Sequence, residues 1–188
     1  MKIAKLIKQG RTVFSIDDLA MIWQISDRRQ LVETIKYYLR SGQLKSVYRG
    51  VYALDSSYSP LEAAQKIFPP CYISYHTALA MHGINFQYYE TIHCMASKTK
   101  NVQLNERKII FHQLKENLLL QDRGIIRQDN YHVATPERAV IDALYLDPHT
   151  IFDNLASIDP DQLVSIAKLY GKNSIIQKIH TMLEDEHA

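Results

Sequence analysis

The chain has 188 residues, 46% of them hydrophobic and 22% charged, an ordinary globular composition with room for one large domain or two small ones. No apolar run approaches the ~18 residues of a membrane helix, so no membrane partner is expected. The two cysteines, Cys71 and Cys94, form neither a CxxC pair nor a zinc framework, which points to a reduced, cytoplasmic protein. The start, Met1-Lys2-Ile3-Ala4-Lys5, lacks the apolar stretch and small-residue cleavage site of a secretory signal.

The net charge of +2 conceals an asymmetry. Residues 1–50 carry ten Lys/Arg against four Asp/Glu, a balance of +6, and residues 51–188 carry twelve against sixteen, a balance of −4. A basic third joined to an acidic remainder suggests an anion-binding module on a separate body, although a simply solvated basic segment has the same count.

In chain order, Ile3, Leu6 and Ile7 predict a first helix closed at Gly10. Val13-Phe14 is a short apolar stub. Ser15 and Asp18 have the spacing of a capping box, ahead of an apolar face of Ile16, Leu19, Ala20 and Trp23. A third helix is expected from a Ser26 cap to Gly42, with Leu31, Ile35, Tyr38 and Leu39 inward. Arg28, Arg29, Glu33, Lys36, Tyr37 and Arg40 are then left outward. Three short helices with a tight turn between the second and third fit a helix-turn-helix. Arginines in the first turn oppose the helix dipole, at a cost of roughly a few tenths of a kcal/mol unless an external anion is present. A phosphate backbone is such an anion, and arginine also reads guanine. The alternatives are a solvated face or a protein-binding module.

Leu44–Val47 and Val51–Leu54 predict two strands joined at Arg49-Gly50, with Lys45, Tyr48 and Arg49 on or near the tip as phosphate contacts, or else a purely structural hairpin. The DNA-facing set is therefore Arg28, Arg29, Lys36, Tyr37, Arg40, Lys45, Tyr48 and Arg49.

The polar run Asp55–Pro60 predicts a boundary between a winged helix-turn-helix at 1–57 and an α+β body at 58–188. In the body, Ser59-Pro60 starts a helix through Phe68 with Leu61, Ala64 and Phe68 on one side, and Pro69-Pro70 breaks it. Tyr72-Ile73 is extended. Ser74 caps a helix through His82, closed by Gly83. Extended stretches follow at Thr91–Ala96, Lys108–Gln113 and Tyr131–Ala134, with Ile125-Ile126 as a further edge. Thr135-Pro136-Glu137 starts a helix on which Arg138 and Asp142 pair one turn apart. Helices at Pro160–Leu169 and Ser174–Leu183 close the chain, with Glu184–Ala188 frayed. Tyr88-Tyr89 is a candidate protein-contact surface.

Three pieces stand in order: Arg49-Gly50-Val51-Tyr52; Tyr72-Ile73-Ser74 through Ala78-Leu79 to His82-Gly83; and Thr135-Pro136-Glu137-Arg138-Ala139 with Asp142. Together they resemble the AbiEi family, antitoxins of type IV toxin–antitoxin systems, over roughly residues 1–146. The resemblance implies a winged helix that binds repeats in its own promoter as double-stranded DNA and represses the operon; two protomers on an inverted repeat, a self-association on DNA, is a common arrangement that the sequence leaves open. It also implies a C-terminal domain that counteracts a nucleotidyltransferase-like toxin. Ser74, Gly83, Pro136, Glu137, Arg138 and Asp142 are its structural motif residues. A stand-alone winged-helix regulator and a winged-helix protein adaptor are the alternative readings.

Chemistry is weakly signalled. His76 and His82 do not share a helix face, His93 and Cys94 point opposite ways on a strand, and His112 can lie beside His93 without fixing further ligands. No metal and no cofactor is expected. Glu137, Arg138 and Asp142 can be cast as acid–base residues, but a helix start and an ion pair explain them. No Walker loop, dinucleotide fingerprint or nucleophile elbow is present, so no enzyme is expected.

Overall fold

Capping and helical periodicity build the first elements. The computed structural model describes residues 2–87 and 90–185. It is α+β, with two compact units, 1–69 and 70–188. Among the described residues no helix is long and apolar enough to cross a membrane. Tyr88 and Tyr89, expected as a contact surface, and the last three residues of the expected frayed end lie outside the described residues.

The first unit begins with α1 (Lys2–Ile7), β1 (Val13–Ser15) and α2 (Ile16–Trp23). Ser15 and Asp18 form the expected capping box. Gln24 takes a left-handed conformation (φ 56°) and turns the chain. The third helix, α3, runs Arg28–Arg40, and its cap is Asp27 rather than Ser26. The Asp27 carboxylate accepts the N–H groups of Arg29 and Gln30 at 3.1 and 3.3 Å, a cap worth about 1 kcal/mol. Leu31 and Ile35 of α3 are buried with Leu6, Phe14, Leu19, Trp23, Ile25 and Leu44, while Tyr38 and Leu39 pack partly buried against them.

β2 (Lys45–Tyr48) and β3 (Val51–Ala53) follow. The apolar stub at Val13-Phe14 is a strand in its own right, and β3 lies between β1 and β2 in an antiparallel sheet. An irregularity between Ser46 and Tyr48 bends β2. Gly50 closes the hairpin at φ 75°, a conformation that favours glycine. Its carbonyl accepts the N–H of Ile16 at 2.9 Å, tying the hairpin turn to the start of α2.

The boundary falls at 69/70, not at 57/58. The reason is α4 (Pro60–Ile67), which is capped by Ser59 as expected but buries Glu62, Ala63 and Ala64 instead of a Leu61/Phe68 face. The buried Glu62 carboxylate accepts the Thr12 N–H at 3.0 Å, the Thr12 hydroxyl at 2.6 Å and the Val13 N–H at 3.2 Å. Lys66 of the same helix pairs with Asp18 at 2.7 Å. Two charged side chains thus bind α4 to β1 and α2.

The second unit holds β4 (Cys71–Ile73), α5 (Tyr75–Met81), β5 (Ile92–Ala96), β6 (Lys100–Leu104), β7 (Arg107–Gln113), α6 (Glu116–Leu119), β8 (Ile125–Gln128), β9 (Tyr131–Ala134), α7 (Pro136–Leu146), α8 (Pro160–Tyr170) and α9 (Asn173–Asp185). The strands form a mixed sheet in the order β6-β7-β5-β4-β9-β8. β4 pairs antiparallel with β5 and parallel with β9, and β5 runs parallel to β7. β6 and α6 were not expected. β6 alternates exposed polar residues with buried Val102 and Leu104, a weak signal at the sheet edge. α7 is buried along Glu137–Leu144 and packs against α5 and α8.

Glu62→Ala leaves the N–H groups of Thr12 and Val13 without their acceptor. It is expected to destabilise the first unit by about 2–3 kcal/mol, with Glu62→Gln losing less. Trp23 is the single tryptophan and lies in this unit, so urea unfolding followed by its fluorescence measures the effect directly.

Candidate nucleic-acid interface

The geometry of α3 follows from its buried seam. With Leu31 and Ile35 inward, the stripe Arg29, Glu33, Tyr37 and Arg40 faces out at helical spacing, flanked by Arg28 and Lys36, and all six are exposed. Tyr37 is 62% exposed. Its ring packs edge-on against Tyr38 at 5.2 Å, and Tyr38 in turn lies 5.4 Å from Trp23, so the tyrosine stands on the core. Lys36 is not a free cation: its ammonium donates to Glu33 Oε1 at 2.7 Å. That bond, and then the nearby Lys36 and Arg40 charges, hold the Glu33 carboxyl below its ordinary range. Arg28 and Arg29 have no ion-pair partner among the described residues, because Asp27 caps the backbone instead.

The hairpin supplies the rest. Arg49 is exposed at the turn and Tyr48 is half-buried beside it. Lys45 is exposed on β2, but it pairs with Ala53 at the end of the hairpin away from the Arg49-Gly50 turn, not at the tip, and its ammonium donates to the Ser56 hydroxyl. The structure therefore brings the eight expected contact residues into one unit, on one helix and one adjacent hairpin.

The motif residues of the second unit converge elsewhere. Arg138 and Asp142, expected to pair one turn apart, lie 3.7 Å from each other and are both fully buried. Asp142 accepts the hydroxyls of Tyr72 at 2.9 Å and Ser74 at 2.7 Å, and also that of Tyr170. Arg138 donates to the Tyr72 hydroxyl at 3.0 and 3.2 Å and to the carbonyls of Leu118 and Arg123 at 2.9 and 3.0 Å. Its guanidinium lies over the Tyr72 and Tyr170 rings. Burial raises the Asp142 carboxyl above its ordinary range, against the opposing pull of Arg138 and the three hydroxyls. Ser74 is at the N-cap position of α5, but its hydroxyl makes no cap bond and serves this network instead.

The remaining motif residues frame the network. Pro136 opens α7, and Thr135 caps it by accepting the Arg138 N–H. The Glu137 carboxylate accepts the Thr135 hydroxyl at 2.8 Å and the Asp159 N–H at 3.2 Å, linking α7 to the start of α8. Gly83 follows α5 at φ 68°. Gly124, at φ 76°, lies so close to α7 that an added Cβ would sit 2.8 Å from Arg138 Cβ. Sequence reasoning missed Tyr72 and Tyr170 as members. Only the apolar flanks of Tyr72 hinted at burial.

His93 and His112 do meet across β5 and β7. Their rings stack at 5.1 Å, and His93 Nδ1 lies 2.8 Å from His112 Nε2, a bond that needs one protonated and one unprotonated nitrogen. Tyr75, at φ 53°, brings its ring within 5.3 Å of both. Among the described residues no group of three or more His, Cys, Asp or Glu is arranged to hold a metal ion. No protein-family model and no curated protein matches the chain.

Burial, then the charges of His112, His76 and Lys108, depress His93 from 6.5 to about 3. A histidine depressed in the folded state binds its proton more readily when unfolded. Its contribution is present above the unfolded value and is lost as pH falls from 6.5 toward 3. Urea unfolding of the second unit, followed by circular dichroism, is expected to weaken across that window. His93→Gln should weaken less. An equal loss in both proteins would place the acid sensitivity in other groups.

Proposed function

We propose that residues 1–69 form a winged helix-turn-helix that binds double-stranded DNA, and that the protein is a transcriptional repressor of its own promoter. The observation that carries the reading is the exposed first turn of α3, where Arg28 and Arg29 stand against the helix dipole without an ion-pair partner among the described residues. α3 enters the major groove and reads base edges from its N-terminal half. Arg40 and the hairpin residues Lys45, Tyr48 and Arg49 contact phosphate and fix orientation. Lys36 neutralises phosphate less than an unpaired lysine does, since Glu33 already holds it.

The test is binding to the DNA upstream of the chain's own reading frame, read against salt concentration. Affinity is expected to fall steeply with salt, as counterions are released. Arg28→Ala with Arg29→Ala reduces discrimination between the upstream site and a scrambled duplex. Arg49→Ala weakens both alike and lowers the salt slope by about one. Unchanged discrimination in the arginine double variant contradicts the recognition-helix role.

The order of the three motifs also supports an AbiEi-type antitoxin that acts against a nucleotidyltransferase-like protein. Two of those motifs, around Ser74 and around Arg138 and Asp142, meet in the buried network of the second unit. An adjacent reading frame is expected to encode such a protein, toxic when expressed alone and tolerated when co-expressed with this chain. Toxicity without rescue favours a regulator that has no toxin partner.

A further inference from the structure

Glu33 is the anomaly of the basic face. Its side chain is 64% exposed at the centre of the outward stripe, one turn after Arg29 and one turn before Tyr37. It lines two open depressions on the surface of α3. One, of about 640 Å³, is formed with Asp27, Arg28, Arg29 and Val32; the other, of about 670 Å³, with Lys2, Lys5, Gln30, Thr34, Tyr37 and Tyr38. A carboxylate there repels phosphate and weakens sequence-independent binding. Its pair with Lys36 is exposed and three residues apart, an arrangement that adds little to helix stability. Neither charge attraction to DNA nor helix stability accounts for it. The remaining consequence of a carboxylate on a helix seated in the major groove is base discrimination. It accepts a hydrogen bond from the N4 amino group of cytosine and meets only acceptors on guanine.

We propose that Glu33 is a specificity-determining residue that reads a cytosine amino group in the major groove. The inference rests on the DNA-binding reading of α3. Lys36 holds Oε1, which fixes the carboxylate and leaves Oε2 for the base. Arg28 and Arg29, one turn earlier, are placed for neighbouring guanines.

The experiment is selection from a pool of randomised duplexes with the full-length chain, Glu33→Gln and Glu33→Ala. Because Glu33 is exposed, neither substitution disturbs the core. The wild type is expected to select cytosine at one position of its site, and replacing that base pair weakens binding at least about fivefold. Glu33→Gln shifts the position to adenine, whose N6 and N7 pair with an amide. Glu33→Ala loses the preference, gaining affinity for duplexes that lack that cytosine. If both variants bind every duplex more tightly with the preference unchanged, Glu33 is only a repelling charge, and the inference falls while the DNA reading stands. If the wild type binds no duplex at low salt, the DNA reading falls and takes this inference with it.

Discussion

The seam formed by Leu31 and Ile35 is the constraint on which the first unit depends. Both side chains are buried against Phe14, Leu19, Trp23 and Leu44, a burial worth roughly 1.5–3 kcal/mol for each. Fixing that seam sets the rotation of α3 about its axis. Arg29, Glu33, Tyr37 and Arg40 then have no direction left but outward. The hairpin is aimed by the same logic: β3 pairs with β1, and the Gly50 carbonyl binds the first residue of α2, so the turn carrying Arg49 cannot swing away independently. Glu62 completes the frame by satisfying the N–H groups that enter β1.

The second unit is organised around charge rather than around an apolar seam alone. A buried ion pair gains little net stability over a hydrophobic pair of similar volume, because desolvation offsets attraction, but breaking one partner is severe. Arg138 and Asp142 are tolerated because three hydroxyls and two carbonyls saturate them. In doing so they tie β4, the start of α5, the α6 segment, α7 and α8 to one point. The one-turn spacing of Arg138 and Asp142 therefore has an architectural use, and chemistry is not needed to explain it.

Local signals were the legible part of the chain. Ser15-Asp18, Ser59-Pro60 and Thr135-Pro136 each marked a helix start because a cap is a contact within three residues. The inward and outward faces of α3 followed from periodicity alone. Most of what could not be read was decided by residues far apart. Ser59-x-x-Glu62 has the local pattern of a reciprocal cap, yet the Glu62 carboxylate goes to Thr12 and Val13, some fifty positions away, and that moved the unit boundary to 69/70. Ser26 and Asp27 compete for one cap, and the better-placed carboxylate holds it. Arg138 and Asp142 look the same in sequence whether exposed or buried; Tyr72 and Tyr170 decide the matter from other elements. Lys36 reads as a free cation until Glu33 is placed beside it.

The proposed DNA-contacting surface consists of α3 and the β2–β3 turn. Its most direct measurement is a titration of isotope-labelled full-length protein with a duplex from the chain's own upstream region, followed by amide chemical shifts. The account predicts the largest shifts within residues 28–40 and 45–50, with the buried network around Arg138 and Asp142 little changed. Shifts concentrated in residues 70–185, with α3 undisturbed, would contradict it.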